Sequence, residues 1–120
     1  MSEQNTNMYT LPVEYAFEQL MTADEQILIS KDLMKDFLSS DDKKHDLLIP
    51  LLVESMWANF SILKILELFM EDPVIENNPD TGEEEYVLSE GTLQALQVLV
   101  VNRHYINRDL SKYSFYMGLH

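Results

Sequence analysis

The sequence contains no cysteine and only three glycines among its 120 residues. Without cysteine there is no disulfide scaffold, no zinc–thiolate site, no cysteine-ligated iron–sulfur cluster and no cysteine nucleophile. The scarcity of glycine, together with only four prolines, excludes low-complexity linkers and collagen-like repeats. The sequence also lacks a glycine-rich phosphate loop, a paired-carboxylate motif and metal-ligand spacing among its three histidines. We therefore expect a protein that is not an enzyme and that binds no metal and no cofactor.

Basic residues are also scarce, because 8 lysines and arginines stand against 21 acidic residues and give a formal charge of −13. A chain this acidic is repelled by nucleic acid phosphates and by anionic lipid. We expect neither direct nucleic acid binding nor membrane binding. The favoured partner is a basic protein surface, which could be the nucleic-acid-binding site of another protein.

Hydrophobic residues make up 46% of the chain, which is enough for a single domain with its own core. Residues 1–9 read as a flexible polar N-terminus, and residues 10–120 as one helical domain with a hairpin insertion. The N-terminal residues lack a basic region followed by an apolar run, so no secretory signal is indicated. The long apolar run from Ile49 to Met70 contains charged residues that are costly in lipid. We expect a cytoplasmic protein with this run as its central helix.

Apolar spacing predicts several helices. A stripe at i, i+3, i+4, i+7 and i+8 predicts a helix directly after Pro12. The sequence Thr22-Ala23-Asp24-Glu25 has the form of a capping box and predicts a second helix start near Ala23. Another start is predicted at Ser39-Ser40-Asp41-Asp42, where a hydroxyl cap precedes two acids. Pro50 either kinks one helix or separates two.

The second half of the chain predicts a central apolar helix over about 51–71 and a last long helix capped by Ser89. The aromatic-rich end, residues 105–117, reads as a further short helix or turn. The predicted fold is mainly α. It is a compact bundle of four to five helices around the central helix, with one β-hairpin over about 74–88 inserted before the last long helix.

The hairpin prediction rests on turn residues at 78–82, where Gly82 can adopt the left-handed conformation that closes the loop. A four-residue loop pairs Ile75 with Tyr86 and Glu76 with Glu85. This register assigns the apolar base of the hairpin to the core, namely Val74, Ile75, Tyr86, Val87 and Leu88. It also leaves a cluster of carboxylates at the tip.

Like charges directly across a strand pair are destabilising, so the acids of the hairpin tip do not help it fold. They are solvated side chains that protect an exposed edge from aggregation, a docking surface for a basic partner, or a divalent-cation site, against which the absence of calcium-loop spacing counts. Glu14 and Glu18, four residues apart on the wet face of the first helix, are added to this candidate surface. The candidate partner-binding residues are Glu76, Asp80, Glu83, Glu84, Glu85, Glu14 and Glu18. The C-terminal bases Arg103, Arg108 and Lys112 either fold back on these acids or form a separate surface.

Inhibitors from phages and plasmids that mimic DNA combine small size, acidity and the absence of catalytic motifs, as do immunity proteins that neutralise nuclease toxins. We accordingly expect a small acidic protein-binding module, an inhibitor of the phage or mobile-element anti-defence or host-takeover type that could mimic DNA. One alternative is an immunity or antitoxin protein that neutralises a basic toxin. Another is a structural or scaffold homo-oligomer, of which a homodimer is the simplest form, assembled through the apolar helix.

Overall fold

The computed structural model describes residues 8–39, 41, 46 and 48–116. Three helices and three strands follow in the order β1 (Met8–Pro12), α1 (Val13–Leu38), α2 (Ile49–Met70), β2 (Ile75–Asn77), β3 (Glu84–Ser89) and α3 (Glu90–Tyr116). The fold is mainly helical, as predicted. The predicted count of four to five helices is wrong for the described residues, which form three. The bundle measures 63 × 24 × 23 Å, so it is an elongated rod instead of the compact bundle that was expected.

α1 is one continuous helix of 26 residues, so the predicted second start near Ala23 is wrong. Buried positions of α1 are separated by seven, four, three and seven residues, through Ala16, Ala23, Ile27, Ser30 and Phe37. A capping box starts a helix only where the chain enters from outside helical geometry. Here the heptad burial pattern crosses Thr22–Glu25 without a glycine or proline to interrupt it, and the helix continues.

Pro50 lies in the first turn of α2. A proline there loses no hydrogen bond, because the first backbone N–H groups of a helix have no partner within the helix. Pro50 therefore belongs to the start of α2 and does not kink it, whereas the short helix that was considered before Pro50 falls mostly outside the described residues. Ser39 ends α1, and most of the helix start predicted at Ser39–Asp42 lies outside the described residues.

α3 runs without a break from Glu90 to Tyr116, so residues 105–116 form no separate helix. The predicted cap is confirmed, because the backbone N–H of Thr92 donates to Ser89 Oγ at 3.2 Å. This bond satisfies one of the unpaired donors at the helix start.

The three strands form an antiparallel sheet in the order β1-β3-β2. The predicted hairpin register is confirmed at Ile75↔Tyr86, Glu76↔Glu85 and Asn77↔Glu84. In the loop, the backbone N–H of Gly82 donates to the carbonyl of Asn78 at 2.7 Å. Gly82 adopts φ 77°, the left-handed conformation that was expected of it.

β1 was not predicted, and two of its residues fall in the segment that was expected to be flexible. It pairs with β3 along its whole length, with Leu11 opposite Tyr86 and Tyr9 opposite Leu88. Tyr86 and Leu88 are each 4% exposed and belong to the core, as predicted. Val74 and Ile75 are 63% and 42% exposed, so their assignment to the core is wrong. β3 lies at the centre of the sheet, and β2 is an edge strand.

Hydrogen bonds between side chains show the relative directions of the three helices. Ser30 Oγ and Ser55 Oγ lie 3.4 Å apart, and Asn59 Nδ2 donates to Gln26 Oε1 at 3.4 Å. The two pairs show that α1 and α2 are antiparallel. Asn107 Nδ2 donates to Gln26 Oε1 at 3.2 Å, and Arg103 donates to Gln19 one to two turns away, so α3 runs parallel to α1.

This polar layer, comprising Gln26, Ser30, Ser55, Asn59 and Asn107, lies between two apolar clusters. The cluster nearer the sheet is built from small and branched side chains of all three helices together with Tyr86 and Leu88. The other cluster surrounds three buried residues, which are Phe37, Leu48 and Leu52. The rod therefore has two apolar cores separated by a hydrogen-bonded layer.

Arg103 is a buried cation without a carboxylate partner in the described part of the chain. Its side chain donates to Gln19 Oε1, and its Nη1 has no hydrogen-bond partner. Burial lowers the pKa of Arg103, and the smaller effect of the nearby Tyr15 raises it. A buried guanidinium of this kind costs stability that a charged acceptor would restore.

The substitution Gln19→Glu is expected to raise the free energy of unfolding by about 1–2 kcal/mol at pH 7, because it gives Arg103 a charged acceptor. The new carboxylate has a folded-state pKa below its unfolded value of about 4.3. The added stability is therefore fully present above about pH 4.3 and is lost as the pH falls through the folded-state pKa. Urea unfolding at pH 7 and at acid pH measures both parts. Gln97→Glu, on the exposed face of α3, is the control and changes stability by less than about 0.5 kcal/mol.

Candidate protein-binding surface

The acidic residues of the chain are concentrated at the end of the rod that carries the sheet. The start of α1, the end of α2 and the start of α3 all meet the sheet there. We define the sheet end as residues 8–18 and 64–90, all of which the structure describes. It contains eleven carboxylates and one base, Lys64, for a formal charge of −10 out of −13. The acids are Glu14, Glu18, Glu67, Glu71, Asp72, Glu76, Asp80, Glu83, Glu84, Glu85 and Glu90.

Glu14 lies beside the hairpin acids although it is far from them in sequence. Pro12 at the end of β1 is opposite Glu85 of β3, so the first turn of α1 begins next to the hairpin. Glu14, Glu83 and Glu84 together line a shallow depression of about 260 Å³ whose floor includes Pro12 and Val13. The structure therefore joins the two groups of acids that were selected from the sequence.

The strands distribute the hairpin acids over both faces of the sheet, because successive side chains of a strand point to opposite faces. Glu84 shares a face with the buried Tyr86, which places it towards α1. Glu76 and Glu85 are a cross-strand pair and lie on the opposite face. Asn78 Nδ2 donates to Glu85 Oε2 at 3.4 Å, which is the one side-chain hydrogen bond that any of these three acids makes among the described residues.

The remaining predicted acids are exposed on the same end. Asp80 lies in the hairpin turn, where its backbone N–H donates to Asn78 Oδ1 at 2.8 Å and leaves its side chain in solvent. Glu18 is exposed one turn beyond Glu14 on α1. The ion pairs of the described residues join Lys64 to Glu67 and Arg108 to Asp109. None of the seven predicted binding residues is therefore neutralised by a cation in the part of the chain described.

Sequence reasoning missed four acids of the sheet end, which are Glu67, Glu71, Asp72 and Glu90. Chain connectivity could have found them, because α2 ends directly before the hairpin and α3 begins directly after it. Glu90 lies in the first turn of α3, where the helix dipole favours an acid. Glu71 caps the C-terminus of α2, where the dipole disfavours one. Of the acids at the end of α2, Glu67 pairs with Lys64 on the same helix, whereas Glu71 gains no support from the helix that carries it.

The C-terminal bases do not fold back on the hairpin. Arg103 is 7% exposed and lies inside the bundle against α1, so it cannot belong to a separate contact surface either. Arg108 pairs with Asp109 at 3.4 Å, and its guanidinium lies 4.9 Å from the ring centre of Tyr105. Lys112 is exposed on α3, far along the helix from the sheet.

Metal binding receives no support from the geometry. Among the residues described, no group of three or more histidine, aspartate or glutamate side chains is placed to hold a metal ion. The eleven carboxylates are spread over the end of the rod and do not converge on one point. Such a surface can present negative charge to a large partner.

One described helix, α2, is long and apolar enough by length and composition to cross a membrane. Its packing against α1 and α3 accounts for part of that apolarity, because 33% of its most apolar window is buried. Glu54, Lys64 and Glu67 on its exposed side would be costly in lipid. These features fit the central helix of a soluble bundle.

Comparisons of the chain with protein-family models, with curated proteins and with solved structures find no match. Its function must therefore be inferred from the charge and geometry of its own residues.

Proposed function

We propose that this chain is a small non-enzymatic inhibitor that docks its sheet end on a basic site of another protein. The observation that supports this proposal is the formal charge of −10 at one end of the rod. Charge that served only for solubility could be spread over the whole surface. Here the other two-thirds of the chain carry a formal charge of −3.

The physical effect of such an end is strongest on association. A single-signed surface attracts an oppositely charged partner over several ångströms and raises the association rate, and it repels partners of the wrong charge. The acids of the hairpin also oppose one another across the strands, at a cost of up to about 1 kcal/mol for a directly opposed pair. A basic partner would relieve this repulsion.

The target that best fits this chemistry is the nucleic-acid-binding site of another protein, with carboxylates in the places that phosphates occupy. An inhibitor of this kind would act in the cytoplasm, as a phage or mobile-element protein directed against host or defence functions. An immunity protein that neutralises a basic toxin would use the same surface. The two differ in their targets, since the first blocks a host protein and the second blocks a toxin encoded beside it.

The test is capture of the target by the immobilised full-length chain from cell lysates, at about 50 mM and about 200 mM salt. Proteins that are retained at low salt and released at the higher concentration are identified by mass spectrometry. The leading candidate is then purified, and its binding to nucleic acid is measured with and without the chain. We expect a basic partner whose nucleic acid binding is lost on titration with this chain.

Two results contradict the proposal. One is a partner that is bound equally well at both salt concentrations, because attraction between exposed charges would then not govern binding. The other is a basic partner that binds nucleic acid and this chain at the same time, which would place the contact outside the nucleic-acid site.

A further inference from the structure

The outward sides of α1 and α2 carry large apolar side chains at heptad spacing. On α1 this stripe comprises Phe17, Met21, Asp24, Leu28, Lys31, Lys35 and Leu38. On α2 it comprises Val53, Trp57, Phe60, Lys64, Glu67 and Glu71. Trp57 is 75% exposed and Leu28 is 62% exposed. Eight of these 13 positions directly follow a buried residue, and all 13 are exposed, so both stripes face solvent.

The two stripes form one continuous surface, which we call the outer seam. The bond from Asn59 to Gln26 and the pair Ser30–Ser55 set α1 and α2 in a register that places Leu28 level with Trp57. The partner of α3 is the other flank of α1, where Gln19 and Gln26 lie. The flank of α1 that bears the seam is thus the one beside α2. Near the sheet the same groove continues as an open cavity of about 650 Å³ lined by Leu20, Leu68 and Met70 together with charged residues of α2.

The apolar area of the outer seam is large for a monomer. Seven of its side chains are apolar, with exposed fractions between 42% and 75%. Their exposed area is roughly 600–800 Å², which exceeds the largest apolar patch of a typical monomer. A stable interface buries about 800 Å² from each partner. The outer seam therefore has about the area that one half of a dimer interface needs.

The charge of the outer seam identifies what covers it. Its 13 positions hold three acids and three bases, a net charge of zero on a chain of net charge −13. The bases are Lys31, Lys35 and Lys64, and the acids are Asp24, Glu67 and Glu71. A surface for a basic partner would be acidic. A surface that meets a copy of itself needs balanced charges. The same residues form both sides of a two-fold interface, so an acid can face a base only if the surface carries both.

We propose that two copies of this chain form an antiparallel dimer through the outer seam, with the sheet ends at opposite ends of the assembly. The antiparallel orientation follows from charge. The rod is 63 Å long, so antiparallel packing sets the two acidic hairpins towards opposite ends of the assembly, more than a Debye length of about 10 Å at 0.1 M salt apart. A parallel dimer would place two surfaces of −10 side by side.

Trp57 is the anchor of this interface. It is the single tryptophan of the chain, and exposed tryptophans that become buried at the centre of an interface contribute strongly to binding. Lys64 lies two turns away on the same side of α2. A two-fold axis that crosses α2 between them sets Trp57 of one copy against Lys64 of the other, in reach of a cation–π contact.

The test compares two matched substitutions by sedimentation equilibrium of the full-length protein over a range of concentrations. Leu28→Lys places a charge in the outer seam. Val98→Lys places the same charge on the outward side of α3, at a position that is 67% exposed. We expect wild type and Val98→Lys to sediment at twice the 14.0 kDa chain mass and Leu28→Lys to sediment at the chain mass. Circular dichroism establishes that all three remain folded, as is expected for surface substitutions.

Trp57 supplies a second readout, because its fluorescence emission should move to shorter wavelength as the wild-type protein is concentrated and should not move in Leu28→Lys. A wild-type protein of 14.0 kDa at every concentration overturns the proposal. So does dissociation by Val98→Lys and not by Leu28→Lys, which would assign the interface to α3. The dimer is expected to persist at the salt concentration that releases the basic partner, so the two proposals can fail separately.

Discussion

Glutamine at positions 14, 83 and 84 together will weaken binding of the captured partner on the order of 100-fold at about 50 mM salt. These three side chains line one depression at the junction of α1 and the hairpin. Each exposed ion pair contributes up to about 1 kcal/mol, and neighbouring charges act on the same partner surface. Glu14→Gln, Glu83→Gln and Glu84→Gln change no buried group, because all three side chains are exposed. Isothermal titration calorimetry at two salt concentrations measures the change.

The matched control neutralises three exposed acids outside the sheet end, with Asp32→Asn, Asp36→Asn and Glu54→Gln. It removes the same net charge from the chain and should reduce binding by less than about 5-fold, since only long-range attraction is lost. Equal losses in the two triple variants would mean that total charge governs binding and that the sheet end is not the contact. The unfolding free energy of the sheet-end variant should stay the same or rise, because mutual repulsion of the acids is relieved.

Truncation of Leu66 to alanine will lower the free energy of unfolding by about 2–5 kcal/mol. Leu66 is fully buried in the apolar cluster nearer the sheet, among residues of α1, α3 and β3. The lost side chain leaves a cavity that several rigid elements border, and its collapse would require all of them to move. Urea unfolding at fixed protein concentration measures the loss.

Leu68→Ala is the internal control for this prediction, because Leu68 lies on the same helix two residues away and is 74% exposed. It should change stability by less than about 0.5 kcal/mol. A similar loss for both variants would mean that helix propensity or dimer contacts determine the change in stability. The assignment of Leu66 to the apolar cluster nearer the sheet would then be wrong.

The hairpin could be predicted in detail because its determinants are local. A turn with Gly82 at its closing position allows few loop lengths, and loop length sets the register. The cap at Ser89 was predictable for the same reason. Both features depend on residues within a few positions of one another.

The features that sequence reasoning missed depend on distant residues. β1 is a strand only because β3, more than seventy residues later, offers an edge for it. Without that edge, five residues ending in proline read as a lead-in to a helix. The capping-box pattern at Thr22–Glu25 was misleading because its residues also suit the interior of a long amphipathic helix, where they satisfy the heptad spacing.

The candidate surface was half predicted. The hairpin acids and Glu14 were chosen from local charge and exposure, and the structure brings them together through β1. The acids at the end of α2 were not chosen, although α2 ends directly before the hairpin and chain connectivity places them beside it. Assembly through the apolar helix was one of the alternatives predicted from the sequence. The contribution of α1 to the outer seam was not predicted, because the apolar stripe after Pro12 was read as a single face that includes both the buried Ala16 and the exposed Phe17 and Met21.

The pairing of β1 with β3 also determines when the acidic surface forms during folding. Contacts between residues so far apart in sequence form slowly, since closing a long loop costs entropy before the contact is gained. During synthesis α1 and α2 can pair before β3 has been made, whereas Glu14 cannot lie beside Glu83 and Glu84 until the hairpin has been added. A nascent chain would therefore present a helical hairpin without a binding surface, and its ability to capture a partner would begin only after β3 has been made.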